Sequence, residues 1–93
     1  MNEYPLGKTI RFRQRYEDPL TGLPYDPTTV TVKFRKPSST TAEAAATKIE
    51  DGLYEVLYLP DSVGDWAGKW VAVGVINDTS LDFAFRVLRS AIP

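Results

Sequence analysis

Hydrophobic and polar residues alternate along three stretches of this chain, 8–16, 28–35 and 80–88, a pattern typical of β-strands with one buried face. The positions predicted to face inward are Ile10, Phe12 and Tyr16 in the first stretch, Val30, Val32 and Phe34 in the second, and Leu81, Phe83, Phe85 and Val87 in the third. The polar residues between them predict a solvated outer face. In the first stretch that face is basic, and Arg11, Arg13 and Arg15 form what we call the arginine stripe.

Two further predicted strands, 53–59 and 67–76, are apolar on both faces. If Tyr54, Val56, Tyr58 and Trp70 face inward, two sets of residues point outward: the outer leucines, Leu53, Leu57 and Leu59, and the outer valines, Val71, Val73 and Val75. A lone two-layer sandwich covers one face of each sheet, so an apolar outer face indicates an interface. The alternative is a β-bulge at Gly68 or Gly74 that turns some of these residues inward.

The segments between these strands contain turn signals and one ambiguous stretch. Residues 17–27 hold three Pro and a Gly and predict a structured turn. Residues 40–49 contain a run of alanines that favours a helix, but the run is short and its apolar face is weak. We therefore favour an irregular edge strand or loop over a helix there.

Turn signals at intervals of about 8–12 residues predict an all-β fold. We expect a single antiparallel β-sandwich of about six or seven strands, spanning residues 1–93, with a short C-terminal arm at 89–93.

Composition argues against most kinds of chemistry. The 93 residues include no Cys and no His, which removes disulfides, thiolate catalysis and the commonest general base and transition-metal ligand. We expect no enzyme activity, no catalytic residues, no cofactor and no metal site. A net charge of −1 argues against a nucleic-acid partner. With no signal peptide and no long apolar run, we expect no membrane association and synthesis in a cytoplasm.

Carboxylates in the predicted turns are the candidates for a Ca²⁺ site, led by Asp61 and Asp65. The others are Glu17, Asp18, Asp26, Asp78 and Asp82. No spacing matches a recognised calcium loop, so turn initiation by Asp is the favoured interpretation. The arginine stripe is either a solvated face or, with the apolar outer residues, part of an interface with a neighbouring protein.

Aromatic residues recur at the inward positions and predict an aromatic core of Phe12, Tyr54, Tyr58, Trp66, Trp70, Phe83 and Phe85. The competing interpretation is that Trp66 or Trp70 stacks on sugars, as in a glycan-binding adhesion module. Core packing is favoured for at least one of them.

The spacing Gly52-x-Tyr54-x-x-x-Tyr58-x-Pro60-x-x-x-Gly64-x-Trp66 resembles immunoglobulin-like sandwich modules of the filamin-repeat and bacterial type. In those families it marks consecutive strands near the end of the domain. The resemblance implies an immunoglobulin-like β-sandwich, and the missing Cys pair separates the chain from antibody-type domains.

The segments Pro5-Leu6-Gly7-Lys8-Thr9-Ile10 and 26–32, together with that motif, resemble small structural proteins of tailed bacteriophages. This resemblance implies a virion protein that decorates the capsid or sits at the head–tail junction. Its expected partners are other virion structural proteins or further copies of itself, bound through an apolar sheet face.

Overall fold

The computed structural model describes residues 2–89, which form nine β-strands and no helix. The strands are β1 (Asn2–Pro5), β2 (Ile10–Arg15), β3 (Thr29–Arg35), β4 (Thr41–Ala45), β5 (Thr47–Glu50), β6 (Leu53–Tyr58), β7 (Gly64–Val73), β8 (Asp78–Thr79) and β9 (Phe83–Leu88). The predicted all-β fold is confirmed. The strand number exceeds the prediction because β1, β5 and β8 are short strands that carry no clear alternation. Residues 2–89 contain no helix long and apolar enough to cross a membrane.

The strands form two sheets that pack face to face. One sheet has the order β1-β9-β7-β3-β4, with β8 also paired to β7, and the other has the order β2-β6-β5. The pairing of β1 with β9 is parallel, whereas every other pairing is antiparallel.

The ambiguous stretch 40–49 is extended and joins the two sheets. Its first part is β4, which pairs with β3, and its second part is β5, which pairs with β6. Between them, the Ala46 backbone N–H donates to the Val30 carbonyl at 3.0 Å. Ala42, Ala44 and Ala46 pack against the core. The alternation of small apolar side chains therefore suits a strand that closes one side of the sandwich.

The core is built from aromatic rings contributed by both sheets. Phe34 of β3 stacks on Tyr58 of β6 with ring centroids 4.3 Å apart, and Phe12 of β2 lies 5.4 Å from Phe85 of β9. Trp66 stacks on Phe85 at 5.8 Å. These contacts place the aromatic side chains between the sheets, where they hold the two layers together.

Leu81 does not face inward, although the alternation in 80–88 predicted that it would. Thr79 pairs with Val71, and Phe83 pairs with Gly68. Between these two pairs the segment from β8 to β9 advances by four residues, whereas β7 advances by three. The extra residue makes a bulge at 80–82, where the Ser80 hydroxyl accepts the Trp70 N–H at 2.9 Å. Leu81 is consequently 92% exposed.

Asp26 ties the turn after β2 to the tight turn between β5 and β6. Its Oδ1 accepts the Gly52 N–H at 2.9 Å and the Tyr54 hydroxyl at 3.2 Å, while Lys48 Nζ donates to Oδ2 at 2.9 Å. The Lys48 ammonium and the Gly52 amide hold the pKa of Asp26 below its usual 3.8.

Because folding lowers the pKa of Asp26, its ionised form stabilises the native state at neutral pH, and this contribution is lost as the pH falls below 3.8. We expect Asp26→Asn to lower the melting temperature at pH 7 and to flatten the decline in melting temperature between about pH 4 and about pH 2. Thermal unfolding followed by circular dichroism measures both. Asp82→Asn, which changes an exposed aspartate, is the control. If the melting temperatures of the wild type and Asp26→Asn fell in parallel as the pH is lowered, the stabilising role of the ionised Asp26 carboxylate would be contradicted.

Candidate functional site

The outer face of the three-stranded sheet brings the arginine stripe and the outer leucines together. In the β2–β6 register Arg11 faces Leu57 and Arg15 faces Leu53, with Arg13 opposite Glu55 between them. Leu57 is 63% exposed, and Leu59, one residue beyond β6, is also exposed. We call this surface, made of Arg11, Arg13, Arg15, Leu53 and Leu57, the Arg/Leu face. The alternation in the sequence predicted the arginine stripe and the outer leucines as separate features. The pairing of β2 with β6 makes them one surface.

Two carboxylates partly neutralise the arginine stripe. Arg13 Nε donates to Glu55 Oε2 at 2.8 Å, and Arg11 Nε lies 4.0 Å from the same oxygen. Arg15 pairs with Glu50 at 3.3 Å. Three guanidinium groups therefore meet two carboxylates, and the face keeps a positive excess. Each guanidinium has five N–H donors, so unused donors remain for a ligand.

The outer valines lie elsewhere. Val71 and Val73 belong to β7 and point outward from the larger sheet, and Val75 lies in the turn after β7 with 97% exposure. The core separates these residues from the outer leucines of β6. The outer leucines and the outer valines therefore form two separate surfaces, because the consecutive strands β6 and β7 lie in different sheets.

Both tryptophans are core residues. Trp66 is 1% exposed and Trp70 is 4% exposed. Trp66 Nε1 donates to the Ser62 carbonyl at 3.1 Å, which satisfies its polar group inside the fold. Neither indole offers a free face to a sugar ring, so the stacking platform of the glycan-binding alternative is absent at these two positions.

Asp61 and Asp65, the leading calcium candidates, form ion pairs with separate partners. Lys36 Nζ donates to Asp61 Oδ2 at 2.8 Å, and Arg86 Nε donates to Asp65 Oδ1 at 2.7 Å. The bond from Lys36 lowers the pKa of Asp61. In residues 2–89 no group of three or more acidic, His or Cys side chains is placed to hold a metal ion.

Tyr16 has a buried hydroxyl that finds no hydrogen-bond partner among the described residues. Burial, with a contribution from Asp78, raises the pKa of Tyr16 to about 12. The phenol therefore stays neutral at physiological pH, and it lies inside the core beside Tyr54.

A groove runs between the sheets along β2, and sequence analysis did not predict it. It has a volume of about 410 Å³, and its lining combines aromatic side chains, among them Tyr4, Phe12 and Phe83, with polar ones, among them Arg11, Arg13 and Gln14. A second depression of about 280 Å³ lies on the larger sheet beside Lys33, Arg35 and Lys69. Lys33 and Lys69 face each other across the strands, with Glu43 3.9 Å from Lys33.

No protein-family model matches the chain, and no curated protein matches it. Among solved structures, the fold is similar to part of a candidate glycoside hydrolase from Bacteroides vulgatus ATCC 8482, with a TM-score of 0.61 and 13% sequence identity. The alignment covers 99% of this chain but 17% of that protein. At this identity the likeness supports the β-sandwich fold alone.

Proposed function

We propose that this chain is a non-enzymatic assembly module that binds neighbouring subunits through the Arg/Leu face. The observation that supports the proposal most directly is the exposure of Leu57 beside the arginine stripe on the outer face of the three-stranded sheet. Exposed leucine beside arginine matches the composition of protein–protein interfaces in two respects, since their centres are apolar and Arg is enriched in them.

The resemblance to small structural proteins of tailed bacteriophages suggests the setting. We propose a virion protein that contacts other structural subunits at the capsid surface or at the head–tail junction. An assembly role needs a rigid scaffold with an adhesive surface, and the sandwich supplies one because its inner faces are filled with aromatic rings. The glycan-binding alternative receives no support from Trp66 and Trp70, which are both buried.

The test is the mass in solution of the wild type, Leu57→Glu and Val73→Glu. It is measured by light scattering after size exclusion over a range of concentrations. We expect the wild type to exceed the 10.4 kDa of a single chain and Leu57→Glu to remain monomeric. Burial of one leucine contributes about 1.5–3 kcal/mol, so a charge there should weaken association by about tenfold or more.

Val73→Glu is the matched control, because Val73 is about as exposed as Leu57 but lies on the opposite sheet. It should assemble as the wild type does. Equal loss of assembly in both variants, or no loss in Leu57→Glu, would contradict the role of the Arg/Leu face. Mass measurements at low and high salt separate an apolar contact, which resists salt, from a purely ionic one.

A further inference from the structure

One edge of β2 is unpaired among the described residues. Strand β2 lies at the end of the three-stranded sheet, and its partner there is β6. The preceding strand β1 pairs with β9 in the opposite sheet and does not extend the sheet of β2. An edge strand of six residues therefore exposes backbone donors and acceptors that can pair with another chain.

The backbone groups on that edge can be assigned from one hydrogen bond. The Tyr16 N–H donates to the Gly52 carbonyl at 2.6 Å, in the position directly after the Arg15–Leu53 pair. Residues of an antiparallel strand alternate between pointing both backbone groups at the partner and pointing both away. The residues that point away are consequently those of the arginine stripe, Arg11, Arg13 and Arg15.

The sandwich is open beside this edge. The larger sheet extends past β2, so Tyr4 and Phe83 are half-buried and line the groove of about 410 Å³. On the other side, the chain crosses from β4 to β5 and closes the sandwich. A further strand beside β2 would cover the aromatic groove with every second side chain.

The remaining side chains of such a strand would lie beside the arginine stripe, which keeps a positive excess over Glu50 and Glu55. This positive charge determines which kind of strand can pair with the free edge of β2. A second copy of β2 fits poorly, because antiparallel pairing that keeps both outer faces on the same side sets arginine against arginine. Acidic side chains at the same positions complement the stripe.

We propose that the free edge of β2 binds an extended peptide segment of a partner protein by β-strand addition, with alternating apolar and acidic residues. The apolar side chains enter the groove, the Asp or Glu side chains lie along the arginine stripe, and the backbone pairs with β2. This site shares the arginine stripe with the Arg/Leu face, whereas the free backbone groups of β2 and the groove residues Tyr4 and Phe83 lie outside that face.

The probe is a fluorescent peptide of alternating valine and glutamate, long enough to cover the six residues of β2. Its affinity is measured by fluorescence anisotropy. The decisive pair of variants is Arg13→Pro and Arg13→Ala. Both remove the same charge and the ion pair to Glu55. Proline additionally removes an outward N–H and places its ring on the free edge, which edge strands tolerate.

We expect Arg13→Pro to bind the peptide about tenfold more weakly than Arg13→Ala does. A peptide with lysine in place of glutamate should bind the wild type more weakly than the acidic peptide. Equal affinity of the two variants, equal affinity of the two peptides, or dimerisation of the free protein through β2 would overturn the proposal.

Hydrogen exchange on the unmodified protein gives a test that does not depend on the folding of a variant. The acidic peptide should slow exchange of the Arg11, Arg13 and Arg15 amides, and leave the already paired amides of Phe12 and Gln14 nearly unchanged. Protection confined to residues outside β2 would place the peptide elsewhere and overturn the proposal.

Discussion

Replacing Trp66 with alanine should lower the free energy of unfolding by about 3–5 kcal/mol, the range for aromatic-to-alanine changes in a packed core. The indole is 1% exposed, stacks on Phe85 and lies 5.9 Å from the Tyr58 ring across the sandwich. Its removal leaves a cavity that both sheets would have to fill. A domain of this size has a total stability of about 5–15 kcal/mol, so the variant should be only marginally folded.

Urea unfolding followed by fluorescence of the remaining Trp70 measures this loss. Trp66→Phe is the graded control, because it keeps an aromatic ring but loses the hydrogen bond to the Ser62 carbonyl. It should lose distinctly less stability than the alanine variant. Val75→Ala, at a side chain that is 97% exposed, should stay within about 0.5 kcal/mol of the wild type. A Trp66→Ala protein as stable as the wild type would place the indole outside the core and revive the sugar-stacking interpretation.

The local pattern of the sequence was sufficient to predict which residues face inward along the regular strands. Val30, Val32 and Phe34 are buried as expected, because alternation with period two depends on the strand itself and not on its partners. Leu81 shows the limit of this rule. A bulge shifts the period by one residue, and nothing in the residues 80–82 distinguishes a bulge from a regular strand.

Strand pairing depends on distant parts of the chain, and the candidate sites depend on strand pairing. The outer leucines and outer valines are equally apolar in sequence, yet β6 and β7 join different sheets, so the two sets lie on opposite sides of the core. The free edge of β2 was not predicted for the same reason. It exists because β1 pairs with β9, a parallel contact between the two ends of the chain. The predicted C-terminal arm at 89–93 lies outside the described residues beyond Arg89.

The tight turn between β5 and β6 provides the second large expected effect. Gly52 has a φ of +76°, and a Cβ there would lie 2.6 Å from the Tyr16 carbonyl oxygen and 3.1 Å from Pro24 Cβ. The Tyr16 carbonyl is held by the Tyr25 N–H at 3.1 Å, so it cannot move aside without breaking a backbone contact.

Gly52→Ala should therefore cost about 1–2 kcal/mol for the left-handed backbone and about 1–3 kcal/mol more for the forced displacement. Gly22→Ala separates the two contributions, because Gly22 has a φ of +73° but no atom within 4 Å of the added Cβ. Chemical denaturation of both variants measures the difference, and Gly22→Ala should show the backbone cost alone. Equal destabilisation in the two would mean that the close packing of the β5–β6 turn against the Tyr16 carbonyl contributes nothing. A larger loss in Gly52→Ala would show that close packing of the β5–β6 turn against residues 17–27 stabilises the fold. The same turn is already bonded to that segment, because the Gly52 N–H donates to Asp26.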